Sequence, residues 1–498
     1  MLFNSIDFLL FFPLVVLVYY ILPKKIRFYW LLVASYYFYM SWNAKYALLL
    51  VASTVVTYLS GIFIQKANDT ISDAKKQIRV KKAIVAISCA FSLGMLFFFK
   101  YFNFASYLAT RILEHINISF KLPVFDIVLP IGISFYTFQA LSYTMDVYRG
   151  DTPAEKNFFK YALFVSFFPQ LIAGPIEKSK DLLKQLDEPK QFDFESARDG
   201  FFQMLWGYFL KLVLADRIAI FVNTIYNDYT TFPGAYLIVA SILFAVQIYC
   251  DFSGYSTISK GAAQILGIKL MSNFEEPYLA TSVAAFWRRW HISLTSWFRE
   301  YLYIPLGGNR KGKLRKYLNI VIVFLVSGLW HGASLSFIVW GLLNGLYQVV
   351  GSILSPVRNK VVQLLQLNRE SFGHKLLQGC ITFLLVDFSW IFFKANSIRD
   401  AIAIIKSAFS VHNPWILFDG SLYACGLDEK NFRFMLLAIA ILIFVDLFNS
   451  KGIIIRKVVY KQDYWFRWIF IALAIAFLFT FGIWGPNYNE SNFIYFQF

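Results

Sequence analysis

The sequence predicts an all-α polytopic membrane protein, residues 1–498 forming a single domain, and three observations carry that reading. Apolar residues make up 58% of the chain and charged residues only 15%, whereas soluble domains run near half apolar and a quarter charged. Mean hydropathy is +0.55. The apolar residues are gathered in runs near the length that crosses a bilayer, about 20 residues for roughly 30 Å of hydrocarbon. The basic residues lie mostly between those runs. The 47 Lys and Arg against 30 Asp and Glu leave a net charge of +17, and in loops between apolar runs such an excess marks segments retained on the cytoplasmic side. The partner this composition implies is therefore the lipid bilayer, with no nucleic acid.

Taken in order, the apolar stretches lie near 6–22, 28–43, 46–65, 83–102, 124–145, 160–175, 199–224, 234–250, 317–335, 337–353, 376–394, 433–449 and 467–485. The first follows neither a basic start nor a small-residue cleavage site and reads as a retained span. Several are short or broken by Pro and Gly, and these read as re-entrant segments, which membranes tolerate only where protein or a wet cavity surrounds them. Basic clusters at Lys24, Lys25 and Arg27, at Lys75 to Lys82, at Arg310 to Lys316 and at Lys451 to Lys461 belong inside. Both termini then face outward. The mixed-polarity segments 176–198 and 395–432 are too short to be separate domains. No internal repeat of the inverted-transporter kind occurs.

The four cysteines, Cys89, Cys250, Cys380 and Cys425, are scattered without metal spacing, so disulfide scaffolds, zinc modules and any metal site are excluded. There is no P-loop, GxSxG elbow, HExxH or dinucleotide GxGxxG motif. Histidine-centred transfer remains.

Of five histidines, His115, His374 and His412 sit in polar connecting segments and read as surface residues. His331 lies in LWHGAS. A helix rising from the cluster that ends at Lys316 carries it roughly 20 Å, past the bilayer midplane toward the outer side. An imidazole there is a functional candidate; the alternative is a packing histidine bonded across the bundle. Trp330 precedes it, and Gly328, Gly332, Ala333 and Ser334 are small enough for close helix approach or for a substrate.

His291 lies in FWRRWHISLTSWFREYLYIPLGG. Trp287, Trp290, Leu294, Trp297 and Phe298 share one helical stripe flanked by Arg288, Arg289 and Arg299, which reads as an interfacial helix. A plain membrane anchor is the alternative. Tyr303, Pro305, Gly307 and Gly308 then break the helix, which favours a shaped loop, and the cations suit an anionic cytoplasmic ligand such as a nucleotide phosphate. Gln247 and Asp251 end another apolar run. Asp251 supports the site at most, facing a cavity, capping a helix with Ser253, or pairing with an Arg of 287–299.

Six motifs in order make the chain similar to the membrane-bound O-acyltransferases, in particular to their bacterial branch of alginate-acetylating and lipoteichoic-acid D-alanylating proteins. They are PIGISFYTFQALSYTMDVYRG (Pro130 to Gly150), FFPQLIAGPI (Phe167 to Ile176), YCDFSGYS (Tyr249 to Ser256), FWRRWHISLTSWFREYLYIPLGG (Phe286 to Gly308), LWHGAS (Leu329 to Ser334) and FIYFQF (Phe493 to Phe498). The resemblance implies a ring of roughly 11 to 13 transmembrane or re-entrant helices around a central tunnel. It implies His331 as principal catalytic residue and His291 as the second. Trp287, Arg288, Arg289, Trp290, Arg299, Tyr303, Asp251, Gln247, Trp330 and Ser334 are the residues expected to bind the donor or support the site. It further implies a bacterial inner membrane location, no permanently bound cofactor, and acetyl-CoA as donor, or alternatively a carrier-protein phosphopantetheine thioester bringing D-alanine to teichoic acid. The acceptor would be an extracytoplasmic polysaccharide or peptidoglycan, reached directly or through an esterase-like SGNH-type partner. The length of the chain and its FIYFQF ending favour acetyl. A sugar hydroxyl needs a base within about 3 Å to attack a thioester, and neutral histidine suits that task. The reading of another class is a transporter or flippase in which His331 binds substrate or shuttles protons; the lack of repeats counts against it.

Overall fold

Inside a bilayer no water satisfies backbone N–H and C=O groups, so spanning segments close their hydrogen bonds within themselves as helices. The computed structural model describes all residues except 119, 121, 173, 189, 485–487, 489–492 and 495–498, and among the described residues there are helices and no strands. Ala173 of FFPQLIAGPI and the last four residues of FIYFQF lie outside them.

The chain divides into two compact units, one of residues 1–204 with 259–271, the other of 205–258 with 272–498. The first holds α1 (Ile6–Ile21), α2 (Arg27–Asn43), α3 (Ala47–Thr70), α4 (Ala74–Leu96), α5 (Phe102–His115), α6 (Ile133–Arg149), α7 (Phe158–Ser166), α8 (Phe168–Leu171), α9 (Ser179–Asp187) and most of α10 (Phe194–Tyr208). The second holds α11 (Asp216–Asn227), most of α12 (Ala235–Ile265), α13 (Val283–Arg289), α14 (Ile292–Phe298), α15 (Gly312–His331), α16 (Leu335–Ile353), α17 (Ser355–Leu364), α18 (Phe372–Lys394), α19 (Ile398–Ser410), α20 (Glu429–Ser450), α21 (Ile455–Tyr460) and α22 (Tyr464–Phe481). Seven helical runs among the described residues are long and apolar enough to cross a membrane, with α1 a shorter apolar helix. This is a multi-pass membrane protein.

Eleven of the thirteen expected stretches come out largely helical, the last, 467–485, as far as Phe481, with residue 485 outside the described residues; two differ. Residues 122–130 form no helix, and α6 starts only after Gly132, whose φ of 76° is left-handed. Pro123 and Pro130 lack N–H donors, and side chains take over the backbone's partners. Asn103 donates to the Phe125 carbonyl at 2.8 Å and accepts its N–H at 3.0 Å, while Tyr46 donates to the Val128 carbonyl at 2.8 Å. Stretch 160–175 breaks at Phe167 into helices of 9 and 4 residues, too short to span at 1.5 Å per residue. The carbonyl freed at Phe164 accepts from Gln139 at 2.9 Å and Gln170 at 2.7 Å. These buried amides are what lets irregular backbone sit inside this unit.

Candidate active site

The second unit brings the two motif histidines to one indole. His331 is the last residue of α15 and is buried. Gly332 then turns the chain, and Ser334 caps α16 by accepting the Ser336 N–H at 3.2 Å. The resulting hairpin is close-packed: a Cβ at Gly328 would strike the Phe337 carbonyl, and one at Gly341 the Phe324 carbonyl. Of the two openings the small residues offered, close approach is the one realised, since the Phe337 ring fills the space at Gly332.

His331 packs edge-on against Trp340 at 5.0 Å, Phe393 at 5.3 Å and Trp330 at 5.0 Å. The other side of the Trp330 environment is His291, 5.9 Å from its indole. Trp340 stacks on Trp390 at 5.7 Å, and Trp390 meets Trp290 at 5.2 Å, next in chain to His291. Trp287 lies against Trp340 at 5.6 Å and donates its indole N–H to Asn344 at 3.2 Å. The two imidazoles thus share one connected cluster of aromatic rings.

His291 is not within a continuous helix. Its φ of 45° and ψ of 55° are left-handed, dividing α13 from α14, a geometry that costs a non-glycine residue about 1 kcal/mol or more. Asn273 holds the turn: its carbonyl accepts the Ile292 N–H at 2.9 Å, its side chain accepts the Ser293 N–H at 3.3 Å and donates to Ser256 at 3.2 Å. The imidazole, edge-on to Phe252 at 4.7 Å, is pushed down to about 3 by burial, so it is uncharged near neutral pH.

This corrects the interfacial-helix expectation and the anchor alternative. The kink at His291 breaks the stripe, and Trp287, Trp290, Leu294 and Phe298 are buried in protein, because they close the wall around the histidines. Arg288 and Arg299 are exposed and Tyr303 is partly so. Arg289 donates to the Glu276 carbonyl at 3.4 Å. The turn after Tyr303 is shaped, as the glycines suggested: Gly307 and Gly308 have φ of 105° and 56°, and the buried Asn319 donates to the Gly308 carbonyl at 2.9 Å.

Asp251 is the second correction. It lies inside α12, so neither it nor Ser253 caps a helix, and its partner is Lys211 at 2.7 Å rather than an arginine. Gln247, one turn earlier, is buried as well. Asn273, Trp340, Asn344, Trp390 and Phe393 were not singled out from the sequence. Lys211 could have been, as a lone cation in the apolar run WGYFLKLVLAD. Among the described residues no three His, Cys, Asp or Glu side chains gather as metal ligands.

Membrane-length apolar helices together with a buried aromatic cluster around two histidines define a polytopic membrane protein. Residues 154–369 match the family model described as MBOAT, membrane-bound O-acyltransferase family, and the chain belongs to that family; it is an acyltransferase. It is 36% identical over 415 residues to a probable alginate O-acetylase (AlgI) of Pseudomonas putida, covering 82% of this chain and 80% of that one. A peptidoglycan O-acetyltransferase of Helicobacter pylori is 35% identical over 76% of this chain and 72% of its own. A teichoic acid D-alanyltransferase of Bacillus subtilis is 26% identical over 55% of this chain and 71% of its own.

Proposed function

We propose that the chain moves an acetyl group from acetyl-CoA on the cytoplasmic side of a bacterial inner membrane to a hydroxyl of an extracytoplasmic polysaccharide or peptidoglycan, directly or through an SGNH-type partner. The observation that carries this reading is the pair of buried histidines sharing Trp330. Acetyl is favoured over D-alanyl because the O-acetylase relatives match more of the chain at higher identity than the D-alanyltransferase does.

In the proposed reaction His331 takes the proton of the acceptor hydroxyl as the oxygen attacks the thioester carbonyl. The tetrahedral intermediate collapses with cleavage of the C–S bond, and the proton goes on to the leaving thiolate, giving an ester and free thiol. His291, uncharged, orients His331 through their common indole. The exposed Arg288 and Arg299, with Arg289 and the basic turn after Tyr303, suit the donor's phosphates. Those charges make a dry crossing of the whole donor prohibitive; the pantetheine arm alone is slim enough to bring the thioester inward.

The test is acetyl transfer by purified His331→Ala, expected to fall about 100-fold or more. A rate near wild type would refute the assignment. Mass spectrometry of exopolysaccharide and cell wall from a deletion strain then reads the group: lost acetyl supports the proposal, whereas lost D-alanine would move the donor to a carrier-protein thioester.

A further inference from the structure

Lys211 sits in a seven-residue π-helical segment, Phe209–Ala215, between α10 and α11. Such segments are rare and recur at functional sites. Its ammonium donates to Asp216 at 2.8 Å and to Asp251 at 2.7 Å, and all three side chains are buried. A buried ion cluster is a poor source of net stability, because desolvation of the charges offsets much of their attraction. The second oxygens of the two carboxylates show a use for it. Tyr488 donates its hydroxyl to Asp216 at 2.9 Å, and the Ile494 N–H is donated to Asp251 at 2.7 Å. Phe481 and Ile483 are tied to the same stretch, since Ile483 donates to the Leu212 carbonyl at 3.0 Å and Arg217 to that of Phe481 at 2.9 Å. Beside Ile494, the buried Phe493 stacks on Tyr255 at 4.6 Å and meets Phe252 at 6.3 Å, and Phe252 is the ring against which His291 rests.

We propose that Lys211, Asp216 and Asp251 are positioning residues that latch Tyr488 and Ile494, so that Phe493 backs Phe252 and holds His291 in its shell. The inference rests on the transferase reading for its kinetic consequence only. Lys211 bridges the two carboxylates and so fixes which oxygen of each faces Tyr488 and the Ile494 N–H.

The experiment uses the full-length chain with its four cysteines replaced by alanine and Ile494→Cys as a reporter, read with a maleimide in the absence of substrate. Ile494 is 3% exposed, so labelling of the latched chain should be slow, and Asp251→Ala should raise it about 10-fold or more by releasing the segment. In the same variant kcat should fall about 10-fold or more while KM for acetyl-CoA stays within about twofold, because a shifted histidine costs rate rather than donor binding. Asp251→Asn keeps an acceptor for the Ile494 N–H and should restore most of kcat. Should Asp251→Ala not fold, Phe493→Ala and Tyr488→Phe leave the ion cluster intact and should lower kcat in the same way. Unchanged labelling in Asp251→Ala, or a released segment with kcat unchanged, would overturn the proposal. Labelling is read without chemistry, so a failure of the transferase reading would leave this arm decisive.

Discussion

At the residue scale, His331 and His291 reach the same aromatic shell by different routes. His331 ends a regular helix, where its position follows from the sequence once α15 is placed. His291 depends on a left-handed turn that no local pattern announces, held by Asn273 from 18 positions earlier in the chain. The turn and the ring can be separated by substitution. Both His291→Gly and His291→Ala should lose transfer, but the glycine variant should be the more stable by about 1 kcal/mol, because only the alanine bears the left-handed strain. Thermal melts in detergent check this, and equal stability would show that the turn relaxes when the imidazole is removed.

Among elements, the segments that are not regular helices do most to shape each unit. In the first unit Glu177 follows the broken α7 and α8 and accepts the Met271 N–H at 2.6 Å. Burial raises its carboxyl from 4.5 to about 7, against the lowering effects of that hydrogen bond and of Lys260. A folded-state pKa above the unfolded one means that Glu177 contributes stability fully below about 4.5 and loses it as pH rises through about 7. The melting temperature of the detergent-solubilised protein should therefore fall between about pH 5 and pH 8, and Glu177→Gln should flatten that fall. An identical profile in the variant would place the charge elsewhere. The sequence marks the break, through Pro169 and the glycine that follows, but not the setting of the acid beside it, where Met271, 94 positions later in the chain, donates its N–H.

For the whole molecule, the proposed transfer requires a donor inside and an acceptor outside. In a cysteine-free background, Ser334→Cys should react with an impermeant thiol reagent added outside, and Gly312→Cys only with one added inside. Labelling of both from one side would sink the through-membrane mechanism. Arg288, exposed, and Arg289, partly so, belong to the same question. The Arg288→Gln, Arg289→Gln double variant should weaken acetyl-CoA binding while leaving the shell around His331 intact; unchanged donor affinity would remove their phosphate-binding role.

Membrane residence, helical class, the break near Pro169 and the presence of two histidines in apolar company were legible in the sequence, because each rests on a local property, whereas the break at His291 was not. The aromatic shell, the partner of Asp251 and the burial of the stripe at 287–298 were decided only by tertiary structure. Trp290 and Trp390, or Lys211 and Asp251, are far apart in the chain and meet through helix packing. An apolar stripe looks the same in sequence whether lipid or protein covers it, since the periodicity that forms a helix says which face is greasy and not what lies against it.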